Sequence, residues 1–234
     1  MRTARFGPLT ERSPYFAAYN TQVANLLPLF PLDLVLLPET PLPLHIFEPR
    51  YREMIGECLR EKQEFGIVRV CPEKVADDTV HHRLTEFGCT AEIVNLLRNY
   101  PDGRMDILVE GRRRFEVLSV DDGRSFLRAE VRFFDDLPVS SVVPQLQKAA
   151  LNMHHRLMLI TSMESSAVDE RSEVLSFHLA SALPVDLDFK QTLLEMRSEE
   201  ERLTVLLDYY SKVIPKLEVM ASKQKKAGTN GWVH

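Results

Sequence analysis

At 234 residues, with 44% hydrophobic and 27% charged side chains, the chain holds enough apolar material for one large domain or two modest ones without disulfide or metal staples. A formal charge of −5 gives no general attraction to nucleic acid or an anionic membrane, and no window of about 18 uncharged apolar residues offers a membrane span. Cys58, Cys71 and Cys89 sit singly with no CxxC pair, which argues against a disulfide framework and suits a reducing compartment, the cytoplasm.

Residues 1–24 carry basic side chains but no continuous apolar run, so they read as an N-terminal extension and not as a secretory leader. Residues 26–47 then read as short extended pieces, at Leu26–Leu27, Leu34–Leu37 and Leu42–Phe47. Pro31, Pro38, Pro41 and Pro43 fall between these pieces or at their edges, where they fix edge strands and tight connections. Pro49 opens a helix, because the first helical N–H has no partner to lose. Behind it Tyr51, Met54, Ile55, Cys58 and Leu59 recur at helical spacing and make one apolar face, opposite Arg50, Glu53, Glu57, Arg60 and Glu61. The pattern predicts a helix from Pro49 to near Glu64.

From residue 65 to 134 the period changes to two. "FGIVRV", "CTAEIVNLLR", "RMDILVEGRRRFEVLSV" and "SFLRAEVRFF" are β-branched, aromatic and partly alternating. "YPDGR" at 100–104 signals a hairpin turn with Gly103 free to take positive φ, and Asp121-Asp122-Gly123 repeats the device. The polar, aperiodic stretch 72–86 reads as a loop. Strands in series joined by tight turns predict an antiparallel, barrel-like sheet with one helix packed on it.

After Pro138 the period becomes helical. Val143, Leu146, Ala150, Met153, Leu157 and Ile160 step by three or four. A second helix is expected over 169–183 and stops at Pro184, and a third over 187–196. Ser198 with Glu201 makes a capping box that opens a long last helix, in which Pro215 predicts a kink. The expected organisation is an extension over 1–24, a β-rich part over 25–138, a helical bundle over 139–222 and a flexible basic tail over 223–234. The fold class is α+β.

Signals for chemistry are sparse. The nine glycines form no GxGxxG, no GxxxxGK[ST] and no GxSxG elbow, and HExxH is absent. His81-His82 and His154-His155 are adjacent pairs whose members face different directions, so they read as solvated or capping histidines and not as metal ligands. His45 reads as a structural imidazole hydrogen-bonded to backbone. In "EGRRRFEVL", Arg112 and Arg114 share a strand face opposite Arg113; the plainer reading is a solvated strand paired with carboxylates, the functional one an anionic contact. Glu48, Glu53 and Glu57 have no nucleophile and base within reach. No catalytic residue, metal site or cofactor is expected.

Three separated blocks, taken in order, resemble one family. "LPLFPLDLVLLPETPLPLHIFEPRYREMIGECLREKQEFGIV", "GCTAEIVNLLRNYPDGRMDILVEGRRRFEVL" and "LSFHLASALPVDLDFKQTLLEMRSEEERLTVLLDYYSKVIPKLE" resemble the Lon substrate-binding domain, which stands at the N-terminus of Lon-type ATP-dependent proteases. The resemblance covers roughly 26–220. It implies a PUA-like pseudo-barrel followed by a helical bundle, and a role in recognising unfolded or degron-bearing polypeptides, with or without a separate ATP-dependent protease as partner. The chain ends at His234 with no Walker A lysine and no block to hold a Ser–Lys dyad, so binding without catalysis is the expectation. The resemblance places substrate contact at the start of the first helix, on Glu48, Pro49, Arg50 and Glu53. The residues themselves add Leu44 and Phe47, apolar side chains beside that charged helix start, and an exposed strand edge open to β-augmentation. A PUA-like domain that binds a small ligand or RNA, motivated by Arg112 and Arg114, is the alternative.

Overall fold

The structure is a computed structural model that describes residues 26–74, 80–138, 143–161 and 168–229. The expected N-terminal extension lies outside these residues. The chain divides into two compact units between Phe134 and Asp135. The stretch 135–138, read from sequence as the end of the first part, belongs to the second. Its backbone is held there, with the Leu137 N–H donating to the Arg197 carbonyl at 2.7 Å.

The first unit carries six strands and one helix. They are β1 (Leu27–Leu32), β2 (Pro41–Ile46), α1 (Pro49–Glu61), β3 (Phe65–Lys74), β4 (Val80–Asn99), β5 (Met105–Asp121) and β6 (Arg128–Phe133). The sheet order is β2-β5-β4-β3-β1-β6, and a further β5–β6 pairing closes it into a pseudo-barrel. β1 and β3 run parallel; every other pair is antiparallel. β5 serves two neighbours on one side: Met105 to Glu110 pair with β2, and Phe115 to Asp121 pair with β6. Leu29, Val68, Phe115 and Ala129 form the centre of the barrel. Tyr51, Met54, Ile55 and Cys58 of α1 are buried as the spacing requires, whereas Leu59 is exposed. α1 ends at Glu61, because its C-cap Lys62 takes a φ of 53° and breaks the helix before Glu64.

Three expectations for this unit fail. Leu34–Leu37 is not a strand. Leu36 and Leu37 are buried, and the chain crosses β5 so closely that a β-carbon on Gly111 would lie 2.1 Å from the Leu37 carbonyl oxygen. Pro38 and Glu39 (φ 58°) then turn the chain, and the Glu39 N–H donates to the Gly111 carbonyl at 2.8 Å. The prolines also sit inside strands, Pro28 and Pro31 in β1, Pro41 and Pro43 in β2. Of the stretch 72–86, the described residues 72–74 and 80–86 are strand and not loop. β3 continues to Lys74 and β4 starts at Val80, paired through Pro72↔His82, Glu73↔His81 and Lys74↔Val80. A two-stranded ribbon is held by its backbone ladder, which leaves no apolar alternation to read.

The second unit holds α2 (Val143–Thr161), α3 (Leu175–Ala182), α4 (Leu187–Glu195) and α5 (Glu199–Thr229). α3 is shorter than expected, because 169–174 is spent on turns in which Asp169 and Ser172 accept from backbone N–H groups. The Ser198 hydroxyl accepts from the Glu201 N–H at 3.3 Å, opening α5 as the capping box requires. Pro215 lies inside α5. The helix then enters the expected tail and ends at Thr229, because the three lysines, the glutamine and the alanine there are good helix formers. Arg202 is fully buried at the unit's centre. It donates to Asp136, Glu199, Ser176 and the Met196 carbonyl, and its guanidinium lies 4.2 Å over the Phe177 ring.

Candidate functional site

Ladder parity decides what the β2–α1 corner displays. The Gly111 N–H donates to the Thr40 carbonyl at 3.1 Å, so Thr40 turns its backbone toward β5. Leu42, Leu44 and Ile46 follow at steps of two and do the same, opposite Val109, Ile107 and Met105. Pro41, Pro43 and His45 turn their backbone to the open edge of the sheet. Two of these three positions have no N–H, so an added strand would find carbonyls and a single donor. The sequence expectation of strand addition at this edge is therefore corrected: the prolines blunt it.

Side chains at the same corner divide by face. Leu44 is half-buried on the inward side, and Ile46 is buried. His45 and Phe47, two residues apart, share the outward side. Phe47 is 58% exposed and stacks on His45 with ring centroids 5.9 Å apart. His45 is exposed and bonds a carboxylate, not backbone as expected from sequence, with Nδ1 2.5 Å from Asp106 Oδ1. The other oxygen of Asp106 accepts from the Tyr100 hydroxyl at 2.7 Å. These bonds from His45, then Tyr100, hold the Asp106 carboxyl below the usual carboxylate range, and the bond to Asp106 raises the Tyr100 phenol.

Tyr100 belongs to the β4–β5 turn, where its carbonyl accepts from Gly103 at 2.9 Å and Gly103 takes φ 82° as the sequence predicts. The Arg98 guanidinium lies 4.7 Å from the Tyr100 ring centre and that of Arg104 5.1 Å. Arg104 is paired with Asp102 at 2.7 Å. Further along β4, Val94, Leu96 and Leu97 are exposed apolar residues. Val94 and Leu97 are the extra residues of two β-bulges against β5, which explains their exposure within a ladder.

The remaining predicted residues are spread out. Glu48 holds the N-cap position of α1 without a side-chain cap, and its carboxylate instead accepts from Arg50 Nε at 3.0 Å. Pro49 is exposed at the first helical position, and Arg50 lies 4.6 Å over the Tyr51 ring. Glu53 is turned away from Phe47 toward the β5–β6 connection, where it accepts from Ser125 at 2.6 Å and from Arg124 at 3.4 Å. Arg112 and Arg114 do not act together. Arg112 is paired with Glu92 at 2.6 Å and Glu110 at 2.7 Å, whereas Arg114 is buried with its guanidinium over Phe134. The observation that motivated an RNA or anionic-ligand contact there is thus spent on internal pairs.

His45, Arg98, Tyr100 and Asp106 complete a surface that residue reading missed. The YPDGR turn brings 98–100 back beside 104–106, a legible signal; the placement of His45 opposite Asp106 depends on a long-range register with no local signature. No nucleophile joins them. Burial pushes the Cys58 thiol up to about 11 and that of Cys89 to about 12. Among the described residues no cluster of His, Cys, Asp and Glu could hold a metal ion, and no helix is long and apolar enough to cross a membrane. A cavity of about 100 Å³ in the second unit, lined by Asp136, Val143, Glu173 and Glu199 among others, is too small for a metabolite.

A sequence profile for the substrate-binding domain of the ATP-dependent protease La (LON) matches residues 26–212. Lon protease 2 of Syntrophobacter fumaroxidans is 26% identical over 195 residues, which are 80% of this chain and 24% of that protein. The Lon protease of Cytophaga hutchinsonii is 24% identical over 216 residues, 88% of this chain and 26% of its own length. The chain thus spans about a quarter of these relatives. The crystal structure of a Lon N-terminal domain protein from Xanthomonas campestris superposes with a TM-score of 0.59 at 25% identity, covering 79% of this chain and 98% of that one. The N-terminal domain of the Mycobacterium avium complex Lon protease superposes with a TM-score of 0.60 at 21% identity, covering 81% and 100%.

Proposed function

This chain belongs to the Lon substrate-binding domain family, and on that premise we propose that it is a polypeptide-recognition module that holds unfolded or degron-bearing segments. It acts as an adaptor or chaperone-like holder and supplies no hydrolysis of its own; a separate ATP-dependent protease is the partner to which it would deliver. The observation that carries the reading is the exposed Phe47 at the β2–α1 corner, stacked on His45 and followed across the turn by Tyr100. Exposed rings held in place by contacts with their neighbours cost little conformational entropy to bind with, and each 100 Å² they bury supplies about 2.5 kcal/mol before association costs. A set of singly weak contacts of this kind suits segments that vary in sequence.

The test is fluorescence anisotropy with permanently unfolded, labelled proteins, comparing the wild type with Phe47→Ala and Arg50→Ala. Micromolar binding that weakens severalfold in Phe47→Ala, at an unchanged melting temperature, is the expected result. A folded wild type that binds none of them ends the reading.

A further inference from the structure

Arg98 stands opposite Asp106 in the β4–β5 ladder, the position at which an arginine and an aspartate ordinarily pair. Here both oxygens of that carboxylate are already occupied, one by His45 and one by Tyr100. Among the described residues, the Arg98 guanidinium is left with the Tyr100 ring and no bonded carboxylate. Arg104, the other cation on that ring, is matched by Asp102. The outward face therefore carries one exposed guanidinium that acts on Asp106 only through space and bonds no carboxylate among the described residues, stacked and so held in orientation, at the end of a row of rings that begins at Phe47. From Phe47 to His45 is 5.9 Å, from His45 to Tyr100 6.1 Å, and from Tyr100 to Arg98 4.7 Å. An extended peptide spans such a row with at most about five residues.

We infer that this face recognises polypeptide segments that carry a carboxylate a few residues from an apolar side chain. The apolar group seats against Phe47 and His45, and the carboxylate takes the N–H fork of Arg98. Contact is made through side chains. The neighbouring strand edge cannot supply a ladder, because Pro41 and Pro43 lack donors. The Tyr100–Asp106–His45 chain works indirectly: it occupies both Asp106 oxygens and so leaves the N–H groups of Arg98 for the ligand. The inference rests on the reading of this corner as the polypeptide-contact surface and names the class of segment it prefers.

The experiment uses two short, labelled, unstructured peptides that are identical except for Glu in one and Gln in the other, each with Phe placed nearby. Wild type, Arg98→Ala and Arg98→Glu are titrated with both. The expected result is that wild type binds the Glu peptide about fivefold more tightly than the Gln peptide, the upper range for an exposed ion pair, and that added salt removes the difference. Arg98→Ala erases the preference while leaving the Gln peptide unaffected, and Arg98→Glu reverses it in favour of the Gln peptide. Equal binding of the Glu and Gln peptides by wild type, or an equal loss of both in Arg98→Ala, overturns this inference and leaves polypeptide recognition standing. Binding of neither peptide, with the unfolded-protein titrations also flat, overturns both.

Discussion

Arg52, in the first turn of α1, lies over Gly103 in the β4–β5 turn. A β-carbon on Gly103 would stand 2.2 Å from an Arg52 guanidinium nitrogen. The contact ties the helix start to the turn that carries Tyr100. Gly103→Ala meets two obstacles, the positive φ of 82° and the arginine above it. The long side chain is able to move aside, so backbone strain dominates and the expected loss is about 1 kcal/mol in urea unfolding. Arg52 displaced from the turn should also disturb Tyr100, so the variant is expected to bind peptide more weakly than its stability loss explains.

Edge chemistry gives a second prediction. Replacing Pro41 and Pro43 by valine returns two outward N–H donors to β2 and raises strand propensity. The doubly substituted protein is expected to self-associate at concentrations where the wild type does not, as followed by analytical ultracentrifugation. Unchanged sedimentation would show that the prolines do not guard the edge.

Within the helical unit, Arg202→Met removes the cation that compensates the buried Glu199 carboxylate. Ser176 supplies Glu199 with two further donors, which cannot balance a full charge. The expected cost is about 3–5 kcal/mol in chemical denaturation. Adding Glu199→Gln to that variant should recover part of the loss, because the stranded charge is then gone. A single variant as stable as wild type would contradict the arrangement described.

His154 supplies a pH dependence. Its sequence context suggests a solvated or capping histidine, yet it is 1% exposed, with Nδ1 3.0 Å from the Tyr210 hydroxyl and Nε2 unpartnered. Burial, then the neighbouring His155, lowers its pKa. The unfolded chain therefore takes up a proton near pH 6.5 that the folded unit refuses, and stability falls as pH drops from about 7 through the lowered value. His154→Gln should flatten that limb of a plot of melting temperature against pH between about 7 and 5. An unchanged slope would assign the acid sensitivity elsewhere.

The parts legible in the sequence are those governed by neighbours along the chain. Pro49 marked the start of α1, Gly103 the turn, Ser198 with Glu201 the opening of α5, and each needs only a few adjacent residues. What escaped depends on partners far away. Leu34–Leu37 is as apolar as a strand, but the crossing over Gly111 turns it into a buried connection. Arg114 matches Arg112 in type and parity, yet one is buried against Phe134 while the other is held by Glu92 and Glu110. His154 looked polar from its type alone, and only the placement of Tyr210 shows that it is interior. In the corner itself residue chemistry points to Leu44 and Phe47, and the family resemblance to Arg50. The His45–Asp106 register, which decides what Arg98 is free to do, is a tertiary fact.

β5 shares one side between β2 and β6, and over Met105 to Glu116 gives its other side to β4. A strand fastened along both flanks has no slack with which to remould its outer surface around a visitor. Any fitting must then be done by the visitor, and a chain without settled form is the kind best able to do it. On the proposed reading, preference for the unfolded would be built from stiffness.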